Sequence, residues 1–102
     1  MTLIDDFILW LEAERRYSPL TVRNYRRDVD DFVAFCGLTH DKFDPKSIRR
    51  EDIEEWMVYL FEKRHLKAAS VNRTLATLRT FWRWMLVHGH VERDLITTIH
   101  QY

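Results

Sequence analysis

"KAASVNRTLATLRTFWRW", residues Lys67 to Trp84, is the stretch on which the reading of this chain turns. Val71, Leu75, Leu78, Phe81, Trp82 and Met85 recur at three- and four-residue spacing, the period of an amphipathic α-helix. The stretch holds no carboxylate, although the formal net charge of the whole chain is zero. At 100° per residue the apolar centre lies near Val71, Leu75, Leu78 and Trp82. Arg73, Ala76, Thr77 and Thr80 fall opposite, with Arg83 at their edge. Ser70 reads as the N-cap and Gly89 as the stop. The outer face of this helix is basic at its start and small in its middle.

Three more helical patterns flank it. The first covers about Leu3–Arg15, with Leu3, Ile4, Phe7, Ile8 and Leu11 on one side and Thr2 and Asp5 spaced as a capping box. The second opens at "YSPLT", where Ser18 suits the N-cap and Pro19 the first helical position. Val22, Tyr25, Val29, Phe32, Val33 and Cys36 line its inner face, and Gly37 stops it. The third covers about Glu51–Arg64, with Ile53, Trp56, Met57, Leu60 and Phe61 apolar. Pro45 opens a single turn around Lys46–Ile48, and a short fifth helix is expected from about Arg93 to His100. Only two glycines and two prolines occur in 102 residues, which leaves little material for strands and tight turns. The expected fold is all-α, one domain over residues 1–102 built as a bundle of four main helices.

Charge is sorted by element. Glu14 to Arg27 holds Arg15, Arg16, Arg23, Arg26 and Arg27 against one acid. Lys63 to Arg83 holds Lys63, Arg64, Lys67, Arg73, Arg79 and Arg83 against none. The acids gather in the first helix, in Asp28–Asp31 and in Glu51–Glu55, where they suit a helix start. A zero total therefore hides two basic helices.

Several classes of function are set aside on composition. Cys36 is the single cysteine, read as a small buried hydrophobe, so no disulfide framework or thiolate metal site is expected. His40, His65, His88, His90 and His100 lack the spacing of a zinc site, and no glycine-rich phosphate loop occurs. His90-x-x-Arg93 has an active-site spacing but no companion nucleophile, and is read as loop chemistry. No metal and no cofactor are expected. No apolar run reaches the roughly 20 residues of a membrane span. The acidic N-terminus lacks the flank of a signal peptide, so a cytoplasmic location is expected. Trp84, and Trp10 with it, falls outside the core stripe and is read as an exposed indole awaiting a protein surface.

The second helix repeats the arrangement of the fourth. Arg23, Asn24 and Arg27 face away from its core stripe, with Ser18 and Thr21 beside the cap. In the fourth, Ser70, Asn72 and Arg73 stand at the start, with Lys67 just ahead. Arginine reads guanine and asparagine reads adenine bidentately in a major groove, while hydroxyls and backbone N–H groups hold phosphates. On the residues alone, two functions stay open: a duplex DNA-binding module, and a helical interaction module that docks an acidic protein.

The motifs resemble those of tyrosine recombinases of the Xer and phage-integrase type, in their N-terminal core-binding domain. Ser18-x-x-Thr21-x-x-x-Tyr25-x-x-Asp28-Val29-x-x-Phe32 is similar to the family's second helix. Ser70-x-Asn72-Arg73-x-Leu75-x-x-Leu78-Arg79-x-Phe81 is similar to its fourth, and the likeness spans nearly the whole chain. Two positions depart from the family pattern: Arg50 stands where a threonine usually precedes the third helix, and Arg93-Asp94 stands where Asn-Pro usually follows the fourth.

The resemblance implies a SAM-like four-helix orthogonal bundle that forms half of a clamp on double-stranded DNA at a recombination half-site. The second and fourth helices would enter the major groove. Phosphates would be met by Ser18, Thr21, Lys67, Ser70 and Arg79. Base edges would be read by Arg23, Asn24, Arg27, Asn72 and Arg73, with Thr77 and Thr80 on the same DNA-facing surface. The tyrosine nucleophile would belong to a catalytic domain that follows, so neither Tyr102 nor the His90/Arg93 pair is a catalytic candidate, and this segment would cut nothing. Other recombinase protomers are the expected protein partners, in a synaptic tetramer that the first helix or Trp84 would help to join.

Overall fold

A computed structural model of the chain describes residues 1–99. Among them lie four α-helices, two single 3₁₀ turns and no strand. The helices are α1 (Leu3–Ala13), α2 (Pro19–Phe35), α3 (Arg50–Glu62) and α4 (Ala68–Val87), with 3₁₀ turns at Pro45–Ser47 and Leu95–Thr98. The chain divides into two compact units, the first Met1–Phe43 and the second beginning at Asp44.

In the first unit α1 starts with the expected capping box. Asp5 N–H donates to Thr2 Oγ1 at 3.2 Å, and the Asp5 carboxylate accepts from Thr2 N–H at 3.1 Å. That backbone N–H, seconded by the Thr2 hydroxyl, holds the Asp5 carboxyl below its ordinary value. The face of α1 that carries Ile4, Phe7, Ile8 and Leu11 is fully buried. On α2, Val22, Val29, Phe32 and Val33 are buried, while Tyr25 and Cys36 are half-buried. Asp28, one of the acids clustered at Asp28–Asp31, is 2% exposed and is the one buried charged side chain among the described residues. It sits one turn before Phe32, on the edge of the core face. His40 Nε2 meets Asp30 Oδ1 at 2.6 Å and ties the following loop back to α2.

In the second unit the Asp44 carboxylate caps the turn at Pro45–Ser47, accepting from Lys46 N–H at 3.0 Å. Ile53, Trp56, Met57 and Leu60 of α3 are buried, but Phe61, expected among them, is exposed. α3 starts one residue earlier than expected, with Arg49 rather than Arg50 at the N-cap. A guanidinium cannot accept a hydrogen bond, so half the capping box is missing there; Asp52 supplies the other half by accepting from Arg49 N–H at 2.8 Å.

All six apolar positions assigned to α4 are buried. The helix starts earlier than expected, however: Lys67 is the N-cap and Ser70 lies inside the first turn. Ala68 and Ala69 are strong helix formers and carry the helix past the hydroxyl meant to begin it. The fifth helix is a single 3₁₀ turn at Leu95–Thr98, capped by Asp94, and its expected end at His100 lies outside the described residues, as does Tyr102.

Each α-helix is followed by a residue in the left-handed region: Arg16 (φ 53°), Gly37 (74°), His65 (55°) and Gly89 (78°). At Gly37 and Gly89 this closes a Schellman turn. Leu38 N–H donates to Val33 O at 3.1 Å, and His90 N–H to Met85 O at 2.8 Å.

Candidate nucleic-acid interface

The first surface belongs to the start of α2. Ser18 Oγ accepts from Thr21 N–H at 3.3 Å and lies 3.0 Å from Thr21 Oγ1, so both hydroxyls stand together at an exposed helix start. Arg23 and Arg27, one turn apart, are exposed, and Asn24 between them is half-exposed. Leu20 lies on the same row at 62% exposure, an apolar residue that the reading from polar side chains left out. Its signal was an apolar side chain at the very start of a helix, off the core stripe.

Not every cation of this window faces outward. Arg15 lies over the Trp10 ring at 5.7 Å and the Tyr17 ring at 5.2 Å, and donates to Tyr17 Oη at 2.9 Å. Trp10, expected bare, is half-buried beneath that guanidinium. Arg26 reaches toward Asp5 of α1 at 4.0 Å. Arg27 Nε stands 3.9 Å from Asp28 Oδ1, with most of its side chain still in solvent. Arg23 and Arg27 are therefore the outward arginines of α2, while Arg15 is taken up by Trp10 and Tyr17 and Arg26 leans toward Asp5.

The second surface belongs to α4. Lys67, Arg73, Ala76 and Arg83 are exposed, and Ser70, Asn72, Arg79 and Thr80 are half-exposed. Thr80 Oγ1 donates back to Ala76 O at 3.2 Å, which ties its hydroxyl proton to the helix. Thr77 does not belong to this face. It is 3% exposed, because the buried sector of α4 spans about half its circumference and runs as far as Thr77 and Trp84, seven residues apart and on one meridian. The wheel centred on the aliphatic residues made that sector too narrow. Thr74 is buried for the same reason and donates to Ser70 O at 2.9 Å.

Trp84 is likewise interior, 6% exposed, which overturns its reading as a bare indole. Its ring lies 5.1 Å from that of His88 and 5.2 Å from that of His90, and His88 Nδ1 meets Trp84 O at 2.9 Å. His90 thus packs against the end of α4. Among the described residues no group of three or more His, Cys, Asp or Glu side chains is placed to hold a metal ion, and no helix is long and apolar enough to cross a membrane.

Comparison with known proteins agrees with this architecture. Residues 4–89 match the family model described as phage integrase, N-terminal SAM-like domain. A tyrosine recombinase XerC of Pediococcus pentosaceus is 38% identical over 94 residues, which cover 92% of this chain and 31% of the relative. A tyrosine recombinase XerD of Listeria monocytogenes is 33% identical over 92 residues, 90% of this chain and 31% of the relative. The chain thus spans about a third of the length of the relatives it matches. In fold it is similar to an integrase from mycobacterium phage Brujita, with a TM-score of 0.81 at 20% identity over 97% of this chain and 31% of the other. With four helices in place and the family model matched along most of its length, the chain belongs to the phage integrase N-terminal SAM-like domain family, whose relatives here are tyrosine recombinases.

Proposed function

We propose that this chain is a duplex DNA-binding domain, the N-terminal clamp of a site-specific tyrosine recombinase that acts in the cytoplasm. One observation carries the reading: two helix starts each expose arginine and asparagine beside serine or threonine, in a chain with no net charge to attract polyanions generally. On α2 the contacts are Ser18, Thr21, Arg23, Asn24 and Arg27, with Leu20 suited to a thymine methyl group. On α4 they are Lys67, Ser70, Asn72, Arg73, Arg79 and Thr80. The small side chains of Ala69 and Ala76 let the α4 backbone come close to a groove wall. Strand cleavage belongs to a catalytic domain of the parent protein, which works with other recombinase protomers. The relatives' names support this reading, and the exposed rows give it residues.

The test is a fluorescence-anisotropy titration of labelled duplex at two salt concentrations. Each phosphate neutralised adds about 0.9 to the slope of log affinity against log salt, so a steep fall in affinity is expected. Arg27→Ala combined with Arg73→Ala is expected to weaken binding at least tenfold, since a bidentate base contact is worth about 1–3 kcal/mol. Absence of binding at low salt, or indifference to both substitutions, refutes the proposal.

A further inference from the structure

Within the second unit, well away from the start of α4, lies an open groove of about 390 Å³. Its rim carries four cations, Lys46, Arg49, Arg50 and Arg93, against the single acid Glu92. Its floor is apolar, formed by Ile48, Trp82, Val91 and Leu95. Neither the α2 row nor the α4 row contributes to it. Both departures from the family pattern, Arg50 and Arg93, fall on its rim.

The rim charges are available. Arg49 and Arg50 hold Asp52 at 3.5 Å and Glu54 at 3.4 Å on their own helix, but such exposed pairs are worth at most about 1 kcal/mol and exchange readily. Lys46 and Arg93 are exposed, and neither makes an ion pair among the described residues. A phosphate backbone would use the rim and leave the floor bare. An occupant that uses both must carry negative charge around an apolar side chain, and a groove of this volume suits one such anchor with its flanking backbone.

We propose that this groove docks an acidic peptide segment of a protein partner, with one leucine-like side chain on the apolar floor beside Leu95 and flanking carboxylates on Lys46, Arg49, Arg50 and Arg93. The site is separate from the DNA-binding rows and does not depend on them. Charge complementarity selects the partner and the apolar floor sets the register.

The probe is a blocked heptapeptide with one leucine between two runs of three glutamates, compared with blocked heptaglutamate. Both are titrated into the ¹⁵N-labelled chain by NMR. The leucine peptide is expected to shift the amides of Ile48–Arg50 and Val91–Arg93 and to bind at least fivefold more tightly than heptaglutamate. Lys46→Glu with Arg93→Glu, two exposed positions, is expected to weaken it at least tenfold while duplex affinity changes less than twofold and the circular dichroism spectrum is retained. Equal binding of the two peptides, or no shifts at the groove, overturns the proposal. So does a duplex that shifts these same amides and is lost in the double variant, which would give the groove to nucleic acid. Concentration-dependent shifts there without peptide would give it to a second copy of the chain and overturn the proposal equally. Failure of the duplex titration alone leaves the peptide result to stand or fall by itself.

Discussion

Replacing Gly37 by alanine is expected to lower stability by about 1 kcal/mol, and replacing His65 by glycine to raise it by a similar amount. Both residues follow a helix in the left-handed region, at φ 74° and 55°. An L-residue in that region costs about 1–2 kcal/mol relative to glycine. Alanine recovers about 0.4–1 kcal/mol by narrowing the unfolded ensemble, which leaves a net loss near 1 kcal/mol. No steric contribution enters, because a Cβ at Gly37 would meet no atom within 4 Å. The same sum with its sign reversed applies at His65, whose side chain is exposed. For a domain of this size 1 kcal/mol corresponds to about 4–8 °C in Tm. Thermal unfolding followed by circular dichroism at 222 nm reads the shift directly. A neutral Gly37→Ala, or a His65→Gly that loses stability, refutes the claim that backbone conformation governs these helix ends. A loss beyond about 3 kcal/mol at Gly37 would also refute it, since the open space there allows no packing cost of that size.

Three further outcomes are expected. Thr77→Val should leave duplex affinity within twofold, measured by anisotropy, because the hydroxyl is turned into the protein, whereas Arg73→Ala should not. Leu78→Ala removes a fully buried side chain from α4 and should cost about 2–5 kcal/mol in a urea melt, a large part of the stability of any small domain. Asp5→Asn should flatten the acid limb of stability against pH. The folded Asp5 carboxyl titrates below its ordinary value of 3.8, so its contribution is present above that pH and disappears as pH falls through the folded value. Urea midpoints of the parent and the variant should therefore differ at pH 6 and converge once the pH has fallen below the folded value.

Helix number, order and apolar faces were legible because Leu75, Leu78, Val29, Phe32 and their like repeat at the helical period, and a single chain suffices to see that. The ends were less so. Ser70 looked like a cap, but the choice between Lys67 and Ser70 depends on whether Ala68 and Ala69 join the helix, and their propensity outweighed the hydroxyl. Thr77 and Trp84 went astray together, because the width of a buried sector depends on what packs against a helix rather than on the helix itself. Asp28 is buried at the edge of the core face of α2, which its acidic side chain alone does not suggest. The outward arginines were legible as a group, yet sequence could not separate Arg23 and Arg27 from Arg15 and Arg26. Only the positions of Trp10, Tyr17 and Asp5 divide them.

α1 begins on a threonine side-chain bond, α2 on a serine, and α3 borrows the Asp52 carboxylate. α4, the longest helix, begins on Lys67 with no side-chain bond at its N-cap and no acid in its first turn. Its leading amides are therefore the ones expected to trade protons with solvent soonest in native-state hydrogen exchange, ahead of those of α2. The same vacancy marks headroom for engineering. Lys67→Ser would add about 1 kcal/mol of helix stability, slow that exchange, and remove a cation from the surface that the parent residue occupies. A start optimised for permanence would carry serine, threonine, aspartate or asparagine at position 67, and this chain carries lysine there.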